Sequence, residues 1–341
     1  MNTFGQIIRQ ARLQRGWHQG ELAGLLGISR QTVVAIESDH HVPAFDTAVR
    51  LADLLGLPLE MLANARRDPL TIPVQLFWLS DVAPRVPLPV IWSSVHGKRI
   101  LVPVSLLATT SAPDAIFSPN DNLVVPLPLA RDPENVLLLG GCDPFMPWLS
   151  QSFQRRTDRF TLESIWLSST EALTRWREGW IHIAGAHLFD RERGIYNPDD
   201  WAGGEHLKLP YLTWQEGLVT RPGQRPWQRL AIREPGSEAH ALFLRHGPKS
   251  LDTEIFHTHR ALLDAIAHHP DWAGVGLGPQ AVLMGLEFTP WVEEQYDLFV
   301  GRADQKAPWF PVLLETLASR DLTQRLDAIP HLVRKSGDVD G

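Results

Sequence analysis

Phe4, Ile7, Ile8 and Ala11 recur at helical spacing after Asn2 and Thr3, which can cap, and Gly16 closes the stretch. A second apolar face runs from Gln19 to Leu26 through Leu22, Ala23, Leu25 and Leu26, and Gly27 breaks it. Ser29 then caps a helix from Arg30 to about Ser38. Ala48, Leu51, Ala52, Leu54 and Leu55 mark a fourth helix, and Leu57 to Leu62 supplies a short fifth. The first 66 residues thus read as an all-α, five-helix domain.

The pattern changes over 67–134 to proline-punctuated β-branched runs, TIPVQLFWL, PLPVIWSSV, KRILVPVSLL and NLVVPLPL, with a hairpin turn at His96-Gly97. This segment reads as a β-rich connector. From Val136 onward strands alternate with helical stretches: VLLLGG, then a loop and helix in CDPFMPWLSQSFQ, the strand TLESIWL, a capped helix in SSTEALTRWREG and the strand WIHIAGAHL. That grammar predicts an α/β fold with mainly parallel strands over 135–330, whose ligand site lies at strand carboxyl ends and helix starts.

At 341 residues the chain exceeds one hydrophobic core, and its 44% hydrophobic and 21% charged composition is that of a soluble globular protein. No apolar run reaches membrane-spanning length, and the N-terminus lacks a signal-peptide centre. The single cysteine, Cys142, excludes an intramolecular disulfide and a zinc-thiolate cluster, which fits a reducing cytoplasm. Of the net charge of −7, residues 1–67 contribute +1, and the remainder carries 25 basic against 33 acidic residues. Only the N-terminal part suits a nucleic-acid partner.

The segment HQGELAGLLGISRQTVVAIESDHHVPAFDTAVRLADLLGLPLEML resembles the helix-turn-helix domain of the lambda repressor and Cro type, the XRE family. The resemblance implies transcription regulation through double-stranded operator DNA, with the helix after Ser29 in the major groove. Ala23 is small where the two motif helices cross, Gly27 permits the turn, and Ile28, Val33 and Ile36 anchor the second helix. Arg30, Gln31, Thr32 and Ala35 are left to face base edges. Arginine pairs with guanine, glutamine with adenine, and threonine can touch a thymine methyl. Gln19 opens the preceding helix, where its side chain and backbone N–H groups can hold a phosphate. The same geometry implies a homodimer on a near-palindromic operator.

The ordered segments GCDPFMPWL, SSTEALTRWREGWIHIAGAHL, GIYNPDDW, WQEGLVTRPG, REPGSEAHALF, FHTHRALLDAI, AGVGLGPQA and EEQYDLFV look like the periplasmic-binding-protein-like family related to molybdate-binding proteins. The resemblance implies a type II, two-lobed α/β domain closing on a small effector. Asn135 to about His206 would form most of one lobe and Gly217 to about Leu286 the other, with the chain returning to the first from Phe288. By position, Cys142, Asp143, Ser168, Ser169 and Thr170 would line one side of the cleft. Gly236, Ser237, Thr258, His259, Gly276 and Gly278 would line the other.

Such hydroxyls and backbone N–H groups suit a molybdate- or tungstate-type oxyanion. Asp143 would repel it unless turned away to cap a helix, and Glu238-Ala239-His240 stands where the family has a small hydroxyl residue and an arginine. An organic effector such as a pterin-like precursor of the molybdenum cofactor, stacked on Trp148 or Trp166, is the other candidate.

The remaining chemistry reads as structural. Cys142 is expected as a small apolar residue, since no Cys/His/Asn arrangement is visible, and no catalytic residue or metal site is assigned. His257 and His259 have a spacing unsuited to helical metal ligands, and His268-His269 ends a helix. Asp199-Asp200 and Glu293-Glu294 are expected on the solvated surface, because adjacent side chains point apart. The sequence therefore reads as a cytoplasmic, homodimeric, ligand-sensing repressor that is not an enzyme and needs no cofactor. The competing class is a cofactor-biosynthesis enzyme or ligand carrier that uses the helix-turn-helix module for positioning or autoregulation.

Overall fold

The computed structural model describes residues 4–38, 40–41, 43–57, 74–79, 84–120, 122–203, 205–223, 226–235, 237–248 and 250–334. Four helices form where the 3.6-residue periodicity places them: α1 (Phe4–Gln14), α2 (Gln19–Leu26), α3 (Arg30–Glu37) and α4 (Phe45–Leu55). Beyond Leu57, the expected fifth helix lies outside the described residues. Gly27 ends α2 in the left-handed region at φ 67°, and the Ser29 hydroxyl caps α3 by accepting from Thr32 N–H. Ile8, Leu22, Leu26, Val33, Ile36, Leu51 and Leu55 form the core. The first and third helices approach so closely that a Cβ on Gly5 would lie 2.5 Å from the Glu37 carbonyl oxygen, which leaves room only for glycine.

The chain divides into two compact units, residues 1–92, 101–104 and 111–132 in one and residues 93–100, 105–110 and 133–341 in the other. Within the connector, β1 (Val74–Leu76), β2 (Leu88–Val95), β3 (Lys98–Pro103), β4 (Ala115–Ser118) and β5 (Leu123–Pro126) make a five-stranded sheet in the order β1-β3-β2-β4-β5. Its β2–β3 turn falls at His96 and Gly97, both at positive φ (49° and 79°), as a two-residue hairpin loop of the primed type requires.

The α/β domain is built on a nine-stranded sheet in two halves. In one half β6 (Val136–Gly141) runs parallel to β7 (Thr161–Trp166) and β8 (Ile183–Ala186). In the other, β12 (Arg229–Arg233) runs parallel to β13 (Asp252–Phe256) and β14 (Trp272–Leu277). The short strands β9 (Phe189–Asp190) and β10 (Ile195–Tyr196) pair separately. Each βα step supplies a covering helix: α5 (Met146–Gln154) and α6 (Ser169–Arg177) on the first lobe, α8 (Glu238–His246), α9 (His259–His268) and α10 (Gly278–Leu283) on the second. The one-turn helix α7 (Asp199–Ala202) precedes the crossing strands.

Two 15-residue antiparallel strands, β11 (His206–Thr220) and β15 (Glu287–Gly301), cross between the halves. One end of the pair meets β8 and the other meets β14. Register shifts interrupt their ladder at Pro210/Leu212 and Glu216/Gly217, where the pair can bend. After β15 the chain returns to the first lobe through α11 (Phe310–Leu317), α12 (Arg320–Asp327) and β16 (Leu332–Arg334), which pairs with β11. Trp309, Phe310, Leu313, Leu322 and Leu326 join Leu137, Leu139, Phe153 and Trp214 in one core.

Candidate functional site

On the helix-turn-helix, Arg30, Gln31, Val34, Ala35, Ser38 and His40 line one concave surface. Positions 31, 34, 35 and 38 share a helix face, and the core claims the opposite one through Val33 and Ile36. Arg30, Gln31 and Val34 are exposed; Thr32 is half-buried, and its hydroxyl lies 2.8 Å from that of Ser29. Ser29 and Thr32 thus build the helix start that presents the other side chains. Val34, 42% exposed, was not singled out from the sequence, although its i+3 position from Gln31 was the available signal. An exposed valine here offers a methyl surface of the kind that reads thymine.

Gln19 departs from expectation. Its side-chain amide donates to Glu37 Oε2 at 3.0 Å, so the side chain is engaged inside the domain and only its backbone remains for a phosphate. Glu37 is the hub. Arg12 grips it with Nε at 2.6 Å and Nη2 at 2.9 Å, and Arg12 Nη1 donates to the Trp17 carbonyl. Burial opposes ionisation of Glu37, but the hydrogen bonds from Arg12 and Gln19 outweigh it and hold the carboxyl below its usual range. Arg12, His18, Gln19, Gly20 and Arg30 together line a second concavity at the start of α2.

In the α/β domain the crossing strands carry the chemistry. Trp214 and Glu216 on β11 face Glu294 and Tyr296 on β15, because Trp214 pairs with Glu294 in the ladder and side chains alternate faces. Trp214 Nε1 donates to Glu294 Oε2 at 2.9 Å, and His187 Nδ1 lies 3.0 Å from the same oxygen. The Tyr296 hydroxyl sits so tightly over Gly141 and Gly185 that a Cβ on either would overlap it. Small residues at two strand ends therefore let the aromatic cluster reach the His187 loop.

Charge is distributed unevenly over this cluster. Burial opposes a charge on His187, but Cys142 and Glu294 prevail and raise it well above its usual range. Glu294 is held low by His187 and Trp214 against the effect of burial, whereas burial and Glu294 push Glu216 well up. Neither Glu216 oxygen accepts a hydrogen bond from a described residue. The hydrogen bond open to Glu216 is donation of its own proton to Glu294. His259 Nδ1 lies 4.0 Å from Glu216 Oε1, and burial followed by Arg233 and His187 keeps that ring neutral. Glu238, at the start of α8, is raised by burial and by Glu294.

The sequence-assigned cleft residues separate into three groups. Cys142, Asp143, Ser169 and His259 join the cluster. The Ser169 hydroxyl accepts from His187 N–H at 3.1 Å and lies 3.6 Å from Cys142 Sγ. Asp143 is fully buried and caps its loop by accepting from Phe145 N–H; burial pushes its carboxyl up to about 7. Ser168, Ser237 and Thr258 are helix caps, accepting from Glu171, His240 and Ala261 N–H respectively, and Ser168, Thr170 and Thr258 are exposed.

The third group departs from a ligand role. Gly276 lies against Leu262, Leu263 and Val219, and a Cβ on Gly278 would overlap the Phe288 ring, so both glycines serve packing. Gly236 lies outside the described residues. Of the proposed stacking tryptophans, Trp148 packs partly into the core beside Phe145 and Trp166 is exposed, while Trp214 is the tryptophan in the cluster.

One further expectation is corrected and one is extended. Glu294 is 3% exposed rather than solvated, although its neighbour Glu293 is exposed. Cys142, expected as a small apolar residue, packs partly buried against the core, and it also neighbours His187, both touching the Ser169 hydroxyl. His187, Trp214, Glu216 and Glu294 were missed in the sequence. The available signal was phase: Glu216 continues the inward series Leu212, Trp214, and Glu294 the inward series Tyr296, Leu298, Val300.

Comparison with known proteins matches residues 8–62 to the helix-turn-helix family and residues 150–318 to the PBP superfamily domain. Over 50 residues the chain is 40% identical to an uncharacterized HTH-type transcriptional regulator of Methanothermobacter thermautotrophicus, covering 15% of this chain and 72% of that one. Among solved structures, one similar protein is described as a phosphate ABC transporter substrate-binding protein from Clostridium perfringens with bound phosphate. It shows 13% identity and a TM-score of 0.48, over 59% of this chain and 100% of that one. An ABC-type phosphate transport receptor from Vibrio cholerae shows 9% identity and a TM-score of 0.41, over 57% and 97%.

Proposed function

Since the chain belongs to the helix-turn-helix family of transcriptional regulators and also carries a PBP superfamily domain, we propose that it is a one-component repressor acting as a cytoplasmic homodimer on a near-palindromic operator. Residues 1–66 read the DNA, 67–134 connect, and 135–330 bind the effector whose occupancy changes operator affinity. The observation that carries this reading is the outward face of α3, where Arg30, Gln31 and Val34 stand exposed on a helix fixed from behind by Val33 and Ile36.

Gln31→Ala tests it. The variant is expected to relax discrimination at one base pair of the operator by about 1–3 kcal/mol, with little loss of non-specific affinity. Measured by competition between operator variants, unchanged discrimination removes Gln31 from base readout.

The effector sits between the lobes, where closing about β11 and β15 gives a two-state element that binding can bias. The oxyanion reading, molybdate or tungstate, draws support from the serine and threonine helix starts. It is weakened by the carboxyls of Glu216, Glu238 and Glu294 and by the capping duties of Ser168, Ser237 and Thr258. A second reading, an enzyme or carrier regulated through the helix-turn-helix module, is favoured by the grouping of Cys142, His187 and Glu294. Cys142→Ser separates the two: effector-dependent DNA binding survives in a sensor, and turnover of the effector is lost in a thiol enzyme.

A further inference from the structure

We propose that the effector is an organic cation rich in N–H donors, of the amine or guanidine class, held between the lobes by the carboxyls of Glu216, Glu238 and Glu294. This rests on the reading of the C-terminal domain as a ligand sensor. The three acids come from different elements: Glu216 and Glu294 share one face of the crossing strands β11 and β15, and Glu238 stands at the start of α8, where the charge of Glu294 is felt. The crossing strands and the second lobe supply the acids, and the first lobe supplies His187 beside Glu294, so both lobes border the site, as a ligand that drives closure needs.

Glu216 supplies the second, independent observation. Its side chain is 1% exposed, and among the described residues no N–H or O–H donates to either oxygen. Its own proton can serve Glu294, but the lone pairs of both oxygens receive no donor, and an occupant that brings N–H groups satisfies them. The cations that act on Glu216 are already committed. His187 is taken by Glu294 and Cys142, and Arg233 donates to Glu234 at 2.8 and 2.7 Å and to the His257 carbonyl. The Ser237 hydroxyl donates to the Glu234 carbonyl. An oxyanion entering beside Glu216 and Glu294 meets two carboxyls whose nearest cations are engaged, whereas a cation meets acceptors; Arg191 and Arg245, both exposed, act on Glu238 alone of the three acids.

A proton should leave when the cation arrives. The titratable and charged groups that act on Glu216 are Glu294 from β15, His187 from the loop after β8, His259 from α9 and Arg233 from β12, and its own charge reaches Tyr196 on β10. In the free protein burial and Glu294 push the Glu216 carboxyl well up, toward its protonated form. A positive charge beside it favours the carboxylate, so binding releases the proton and tightens as pH rises.

The test uses the full-length chain in calorimetry and thermal-shift measurements with agmatine, spermidine and benzamidine against molybdate, tungstate, sulfate and phosphate. Calorimetry is run in two sulfonate buffers of different ionisation enthalpy to count protons. The expected result is a member of the cation panel that raises the melting temperature, releases a proton, and binds at least about tenfold more weakly to Glu294→Gln. Glu216→Gln, which keeps the shape of the side chain, is expected to remove the proton release.

The proposal is overturned if none of the cations shifts melting at millimolar concentration, whether or not an oxyanion binds. Cation binding that is indifferent to both substitutions overturns it as well. Operator affinity, measured with each compound, separates the two levels. A cation that binds without changing DNA affinity leaves the ligand class standing and refutes the sensor reading; an oxyanion that changes DNA affinity does the reverse.

Discussion

His182 is held neutral from two sides. Its Nδ1 accepts from Leu138 N–H at 3.1 Å and its Nε2 donates to the Ser94 carbonyl at 3.1 Å, so a proton on Nδ1 would face another donor. Burial, with a smaller effect from the charge of His96, lowers its pKa to about 4 from an ordinary value of 6.5. Because the unfolded chain takes up the proton first, the stabilisation is complete above about 6.5 and is lost as pH falls from there toward 4. The loss amounts to about 3 kcal/mol at most. Denaturant titrations from pH 4 to 7 should show a shallower pH dependence for His182→Gln than for wild type, and equal slopes would remove His182 from the account. At this scale a sequence carries little information: nothing in WIHIAGAHL distinguishes His182, locked between two backbone groups, from His187, charged against Glu294. The distinction comes from partners 44 and 107 positions away in the chain.

Among elements, α1 and α3 are joined by the Arg12–Glu37 pair as well as by close packing at Gly5. Arg12 is 5% and Glu37 8% exposed, so deleting the guanidinium strands a buried carboxylate with Gln19 as its remaining side-chain donor. Arg12→Met is expected to destabilise the N-terminal domain by about 3 kcal/mol, and Arg12→Met with Glu37→Leu to recover most of it. Denaturation of both variants checks this, and a harmless single substitution would contradict it. The helices of this domain were legible in the sequence because local spacing, Gly27 and Ser29 act within a few residues. Gln19 was not, because helical position says that a side chain is near an N-terminus and not that Glu37 will draw it inward. On β11 and β15 the strands could be read from alternation, but the buried acids in them ran against the usual rule that carboxylates face water.

For the whole molecule, charge sets how strongly the chain approaches DNA. The first 67 residues carry a slight basic excess, while the remainder holds 33 acids against 25 basic residues. Operator binding should therefore depend on salt only as a few phosphate contacts would require, with a slope of log K against log salt of about −4 or shallower. Titration across salt concentrations measures this, and a slope near −10 would show a wider basic surface than the sequence contains. Periodicity, glycine placement and capping residues determined the helix-turn-helix, the outward side of its third helix and the α/β succession of strands and helices, since each depends on neighbours a few positions apart. The tertiary structure alone decided what surrounds the crossing strands. Cys142, His187, Glu216 and Glu294 lie on separate elements, and only the pairing of two long strands and the burial around them turn serine and threonine helix starts into caps and bring the acids to the centre.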